Sequence, residues 1–209
     1  EGYPDGSFGP ERGMTRAEAA TIFARLLAEK NGDNISTVAR TKFDDIPAHA
    51  WYSGYVKYLN NHGVAYGKTK TTFAPDDAIT RAEYTALAVR FFEVYGDGSA
   101  EIMEKYKSFD DVSEGDWAAS YIQAAAKYGW VNGYEDGSFH PSRQITRAEV
   151  VTLTNRLLGR SADEVYVQEH LRQLNTFHDL SKRHWAYYEV MESANAHTAV
   201  LGKNETWSK

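Results

Sequence analysis

The tetrapeptide Thr-Arg-Ala-Glu occurs three times, beginning at Thr15, Thr80 and Thr146, at spacings of 65 and 66 residues. A period of that length makes the chain an array of like supersecondary units, each able to bury its apolar face only against a neighbour. A second block recurs with it: Phe43-Asp44-Asp45-Ile46 leading to Trp51, Phe109-Asp110-Asp111-Val112 leading to Trp117, and Phe177-His178-Asp179-Leu180 leading to Trp185. A Gly-rich turn joins the two blocks, Gly2-Tyr3-Pro4-Asp5-Gly6-Ser7-Phe8 in one copy and Gly133-Tyr134-Glu135-Asp136-Gly137-Ser138-Phe139 in another. The middle copy, from Tyr66 to Phe73, keeps only the aromatic ends.

Each repeat therefore runs from the Phe-Asp-Asp block through the Trp segment and the turn into Thr-Arg-Ala-Glu and its following segment. Two complete repeats are expected at 43–95 and 109–158, with a second half at 1–27 and a first half at 177–209. The 209 residues then form one module of three repeats, the third assembled from the two ends, with 1–27 packed against 177–209. Because the sequence opens inside a motif, it reads as a piece of a longer protein. Asn204-Glu205-Thr206-Trp207 holds the turn register of the last half in degenerate form.

Both recurring segments predict helices. Thr15 with Glu18, Thr80 with Glu83, and Thr146 with Glu149 are capping boxes: the hydroxyl takes one free amide and the carboxylate reaches back to another. Apolar residues follow on one face, such as Ile22, Phe23, Leu26 and Leu27, or Leu87, Ala88, Phe91 and Phe92, or Val150, Leu153 and Leu157. The Trp segments carry Trp51, Tyr55, Val56 and Leu59, and Trp117, Tyr121, Ile122, Ala125 and Tyr128, with Gly63 and Gly129 as stops. Ser161 and Glu164 predict one further capped helix in the last connector. Strand signals are few, and three equivalent amphipathic helices suggest an all-α, pseudo-threefold bundle.

Composition removes several functions. With no cysteine there is no disulfide scaffold, thiolate metal site or cysteine nucleophile. A net charge of −6 argues against a general nucleic-acid binder, so any anionic partner must meet local clusters of Arg and Lys. No apolar run is long enough to enter a membrane as a spanning helix. The seven His residues form no zinc pattern, and the Asp-Gly pairs at Asp5, Asp97 and Asp136 lack the alternating ligands of a calcium loop, so they read as turns. No nucleophile elbow, phosphate-cradling loop or dinucleotide fingerprint is present. No metal, cofactor or catalytic residue is expected, and the recurring carboxylates are assigned to caps, turns and contacts between repeats.

Phe-Asp-Asp-(Val/Ile), Trp-Ala, Gly-Tyr-x-Asp-Gly-Ser-Phe-x-Pro and Ile-Thr-Arg-Ala-Glu, in that order, resemble the S-layer homology domain over nearly the whole chain. The resemblance implies a bundle of helix-loop-helix repeats shaped as a three-pronged spindle, found outside the cell at the bacterial cell wall. It implies non-catalytic attachment of a surface protein to an anionic secondary cell-wall polysaccharide, often through a pyruvylated amino sugar held in grooves between repeats. The alternative is a self-assembly module that binds neighbouring proteins of a surface-layer lattice. The resemblance makes Arg16, Arg81, Arg147, Asp45, Asp111, Asp179, Trp51, Trp117 and Trp185 the candidate ligand-binding residues. The last half departs from the pattern, with His178 in place of Asp and a worn turn.

The residues themselves leave two readings of each group. An Arg beside a helix start, with free amides and the positive end of the dipole, suits a carboxylate or phosphate. Equally, Arg16, Arg81 and Arg147 could pair with Asp45, Asp111 and Asp179 of a neighbouring repeat and fasten the bundle. Trp51, Trp117 and Trp185 could face a sugar ring, but at helical spacing a Trp is more often core, the expected place for most of the aromatics.

Overall fold

A computed structural model of the chain describes residues 2–36, 38–96, 103, 105–200 and 206–208. The Asp97-Gly98 turn and the Asn204-Glu205 part of the last turn register lie outside the described residues. The described chain is all-α. Its helices are α1 (Arg16–Asn31), α2 (Ser53–Asn61), α3 (Arg81–Tyr95), α4 (Ala119–Lys127), α5 (Arg147–Leu157), α6 (Glu164–His170) and α7 (Tyr187–Ala194). A 3-10 turn at Leu171–Gln173 extends α6, and an antiparallel ribbon of β1 (Thr198–Val200) and β2 (Thr206–Ser208) pairs Ala199 with Trp207.

All three capping boxes form. Thr15, Thr80 and Thr146 each accept the N3 amide through the side chain, and Glu18, Glu83 and Glu149 each accept the amide of the capping threonine. The extra helix begins later than its expected cap: Asp163, not Ser161, accepts the Tyr166 amide at 2.9 Å. A cap must directly precede the first helical residue, and Glu164 is that residue.

Two compact bodies divide the chain, residues 13–145 and residues 1–12 with 146–209. In the first, α1 packs on α2 and on α3, and α3 packs on α4. Phe23 joins α1 to α3 through Tyr84 and Phe91, at ring distances of 5.4 and 4.8 Å, and all three rings are buried. A fully buried Phe contributes roughly 2–3 kcal/mol. The helix opened by Thr15 thus takes its partners from the following repeat, because that repeat supplies the next apolar face along the chain.

In the second body α5 and α6 pack on α7 around Val167, Val190, Met191 and Trp207. Phe8 belongs to this core and lies 5.3 Å from Phe177, so the first twelve residues sit with the last Phe-Asp block. No helix among the described residues is long and apolar enough to cross a membrane.

Candidate functional site

The recurring aspartate builds the site from below. Asp45 accepts the amides of Phe73 at 2.9 Å and Ala74 at 2.6 Å. Asp111 accepts those of Phe139 and His140, both at 2.7 Å. In the other body Asp179 accepts those of Phe8 at 2.7 Å and Gly9 at 2.8 Å. The second residue of each pair precedes a proline and has a left-handed backbone, with φ of 58° at Ala74, 56° at His140 and 68° at Gly9. That conformation is costly for a residue with a side chain, so the two charge-assisted hydrogen bonds are what hold the turn.

Held this way, the turn aims a carbonyl at the recurring arginine. Arg16 donates from Nε to the Phe73 carbonyl at 2.9 Å, Arg81 to that of Phe139 at 2.8 Å, and Arg147 to that of Phe8 at 2.9 Å. Each guanidinium also stacks on the ring of the same Phe, at 4.9, 4.6 and 4.7 Å. Asp45, Asp111 and Asp179 therefore support the arginines through the turn.

The helix starts are closed to an anion. Arg16 and Ala17 donate their amides to the carbonyls of Asp77 and Pro75, both at 3.0 Å, and Glu18 donates to Thr15. Arg81 and Ala82 donate to Arg143 and Pro141, and Arg147 and Ala148 to Arg12 and Pro10. The expectation of free amides fails because the sequence cannot show that the neighbouring turn docks on them. Any anion must be held by side chains.

An open cleft of about 350 Å³, lined by Arg16, Tyr66, Lys68, Glu83, Arg90 and Trp117, lies within residues 13–145. At its base Arg16 donates from Nη1 to Glu83 Oε1 at 3.0 Å and from Nη2 to the Tyr66 carbonyl at 3.0 Å. The ion-pair partner of Arg16 is thus Glu83 and not Asp45. Glu83 does two things at once, since its Oε2 accepts the Thr80 amide at 2.9 Å. Burial pushes the Arg16 guanidinium below its ordinary pKa, and Glu83 and Asp77 pull the other way. At the rim Lys68 donates to Asp77 at 2.5 Å and holds that carboxyl below its usual value.

Trp117 also lines the cleft and is 61% exposed. Its equivalents Trp51 and Trp185 are 54% and 60% exposed, so the core reading of these three residues is corrected. The helices start two residues after each Trp, and the interior position goes instead to the residue that follows it, Tyr52, Ala118 or Ala186.

Arg90, which the motif reading did not single out, completes the cleft. It stacks between the rings of Tyr66 at 4.7 Å and Tyr121 at 4.5 Å and donates from Nε to the Tyr121 hydroxyl at 3.1 Å. The signal was present, because Arg25, Arg90 and Arg156 recur at the same spacings of 65 and 66 as the tetrapeptide.

A family model described as the S-layer homology domain matches residues 1–20, 42–85 and 108–151. The chain belongs to the S-layer homology domain family. The matched segments include Arg16, Arg81 and Arg147, and the second and third run from the Phe-Asp block to the recurring arginine.

Among curated relatives, a cellulosome-anchoring protein of Acetivibrio thermocellus is 35% identical over 98% of this chain and 43% of its own length. Cell surface glycoprotein 1 of the same organism is 35% identical over 96% of this chain and 8% of its own. An amylopullulanase of Thermoanaerobacterium thermosulfurigenes is 32% identical over 78% of this chain and 8% of its own. This S-layer homology chain thus spans less than half the length of each of these relatives. Among the described residues no group of His, Asp and Glu could hold a metal ion.

Proposed function

We propose that this S-layer homology module is a non-catalytic anchor that attaches a protein to the bacterial cell wall by binding an anionic wall polysaccharide. The chain is a cell-surface module, in keeping with relatives that are a cellulosome-anchoring protein and a cell surface glycoprotein. The same region accompanies an amylopullulanase, which fits an accessory role beside a separate catalytic part.

One observation carries the binding reading: a large aromatic, Trp117, stands 61% exposed on the wall of a cleft whose floor and rim hold Arg16, Arg90 and Lys68. An exposed indole face offers an apolar platform to the C–H face of a sugar ring, and adjacent guanidinium groups suit its acid group. A pyruvylated amino sugar, which combines a ring with a ketal carboxylate, fits both. Arg16 keeps one N–H on each terminal nitrogen beyond those given to Glu83 and Tyr66, and Asp45 supports it from below. Arg81 with Asp111, and Arg147 with Asp179, repeat the arrangement of Arg16 with Asp45.

Sedimentation with purified sacculi tests the function. The chain should pellet with intact sacculi and stay in the supernatant after the polysaccharide is stripped by acid, and Trp117→Ala should weaken pelleting at unchanged melting temperature. Association of the chain with itself at the same rate with or without sacculi would favour a surface-layer lattice module instead.

A further inference from the structure

The charges of the cleft within residues 13–145 do not contribute equally. Arg16 is buried and its charge is matched by Glu83 at 3.0 Å. Lys68 is matched by Asp77 at 2.5 Å. Arg90 faces two tyrosine rings, and no carboxylate of the described residues lies within ion-pairing distance of it. Its single hydrogen bond among the described residues uses Nε, which leaves both terminal nitrogens available to an acceptor. Among the described residues the floor therefore carries one uncompensated positive charge, with its planar fork held by Tyr66 and Tyr121 before any ligand arrives. A carboxylate that meets such a fork gains two parallel charge-assisted hydrogen bonds and loses little side-chain entropy.

Resting on the polysaccharide reading above, we infer that Arg90, held between Tyr66 and Tyr121, is the residue that recognises the acid group of the sugar in this cleft, while Arg16 shapes the floor. The equivalents of Arg90 have different surroundings. Among the described residues Arg25 has one ring beside it, that of Tyr55 at 5.4 Å. Arg156 lies close enough to Glu189 to favour that carboxylate's charged form, where the Arg90 site has Tyr121. An aromatic at that position confines the guanidinium without neutralising it, whereas a carboxylate competes with the ligand.

The test uses the full chain and two probes, the methyl glycoside of a pyruvylated amino sugar and the methyl ester of the same compound, which has no charge. Trp117 fluorescence and calorimetry read binding, and thermal melts report folding. Wild type should prefer the acid to the ester. Arg90→Gln should lower affinity for the acid roughly ten- to a hundredfold, as expected for a charge-assisted contact, and leave affinity for the ester unchanged, so that the preference collapses. Arg90→Lys should restore only part of it. A purely structural role would weaken both probes together and lower the melting temperature. If wild type binds the acid and Arg90→Gln keeps the full preference, the inference is overturned while the polysaccharide reading stands. If wild type binds neither probe, the pyruvylated-sugar reading fails and the inference with it.

Discussion

Arg16 reaches Glu83 across 67 positions of sequence, Nη1 donating to Oε1 at 3.0 Å, while the other oxygen of the same carboxylate caps the helix that follows Thr80. One side chain thus starts α3 and ties α1 to it. Replacing Glu83 with Ala removes the cap and leaves a mostly buried guanidinium without its counter-charge. The expected cost is about 3–5 kcal/mol, as for a broken buried pair. Glu83→Gln, which keeps the shape and one of the two acceptor oxygens, should cost less than Glu83→Ala. Urea unfolding measures both, and a loss below about 1 kcal/mol for Glu83→Ala would show that the pair contributes little.

Asp179 gives the body of residues 1–12 and 146–209 an acid sensitivity. Burial would raise its pKa, but the amides of Phe8 and Gly9 outweigh that and hold it below the ordinary carboxylate value. A carboxylate lowered on folding contributes stability above its unfolded pKa, about 3.9, and that contribution disappears as pH falls through the folded value. Asp179→Asn should therefore destabilise at pH 7 by about 1 kcal/mol, solvent exposure keeping it at the low end, and should flatten the profile below pH 4. Melting curves from pH 2 to 7 on both proteins would test this, and parallel profiles would contradict it.

Ala74 should be improvable. Its φ of 58° costs an L-residue roughly 1–2 kcal/mol, against about 0.5–1 kcal/mol of extra chain entropy for glycine. Ala74→Gly should stabilise by up to about 1 kcal/mol, matching Gly9 at the equivalent turn. His140→Gly should gain less, because His140 also bonds Ser138 at 2.9 Å and packs on Tyr134 at 4.8 Å. A Tm lowered by Ala74→Gly would mean that the Asp45 clamp removes the strain by itself.

The three exposed tryptophans separate binding from folding. Trp51→Ala, Trp117→Ala and Trp185→Ala should each change stability by no more than about 0.5 kcal/mol, the usual effect of a surface substitution. Tyr84→Ala or Phe91→Ala should cost about 3–5 kcal/mol, as both rings are fully enclosed. Denaturant midpoints of the five variants decide it. A large loss for Trp117→Ala would make that residue a core element after all.

The sequence was most readable where its signals are local. The capping boxes depend on residues three apart, and all three formed where Thr15, Thr80 and Thr146 placed them. Recurrence marked the Asp, Arg and Trp positions as repeated sets, but not which copies meet. That Asp45 binds two amides of a turn 28 residues away, and that the turn presents its carbonyl to Arg16, are facts of backbone direction that no side-chain pattern encodes. The core alternative for Trp117 fails because it extends helical spacing two residues too far, to a position that precedes α4. Arg90 was passed over because Arg is ordinary on a helix surface; only its enclosure by Tyr66 and Tyr121 sets it apart.

The offset between repeat and packing has a consequence for the order in which the chain can fold as it is synthesised. α1 closes on α2, and α3 on α4, with partners a few dozen residues apart, so these pairs can form while the rest of the chain is still being made. The turn at Phe8 and Gly9 has no such early partner. Its clamp, Asp179, lies 171 and 170 positions downstream, so this turn waits for most of the module to be made and is among the last parts of it to settle.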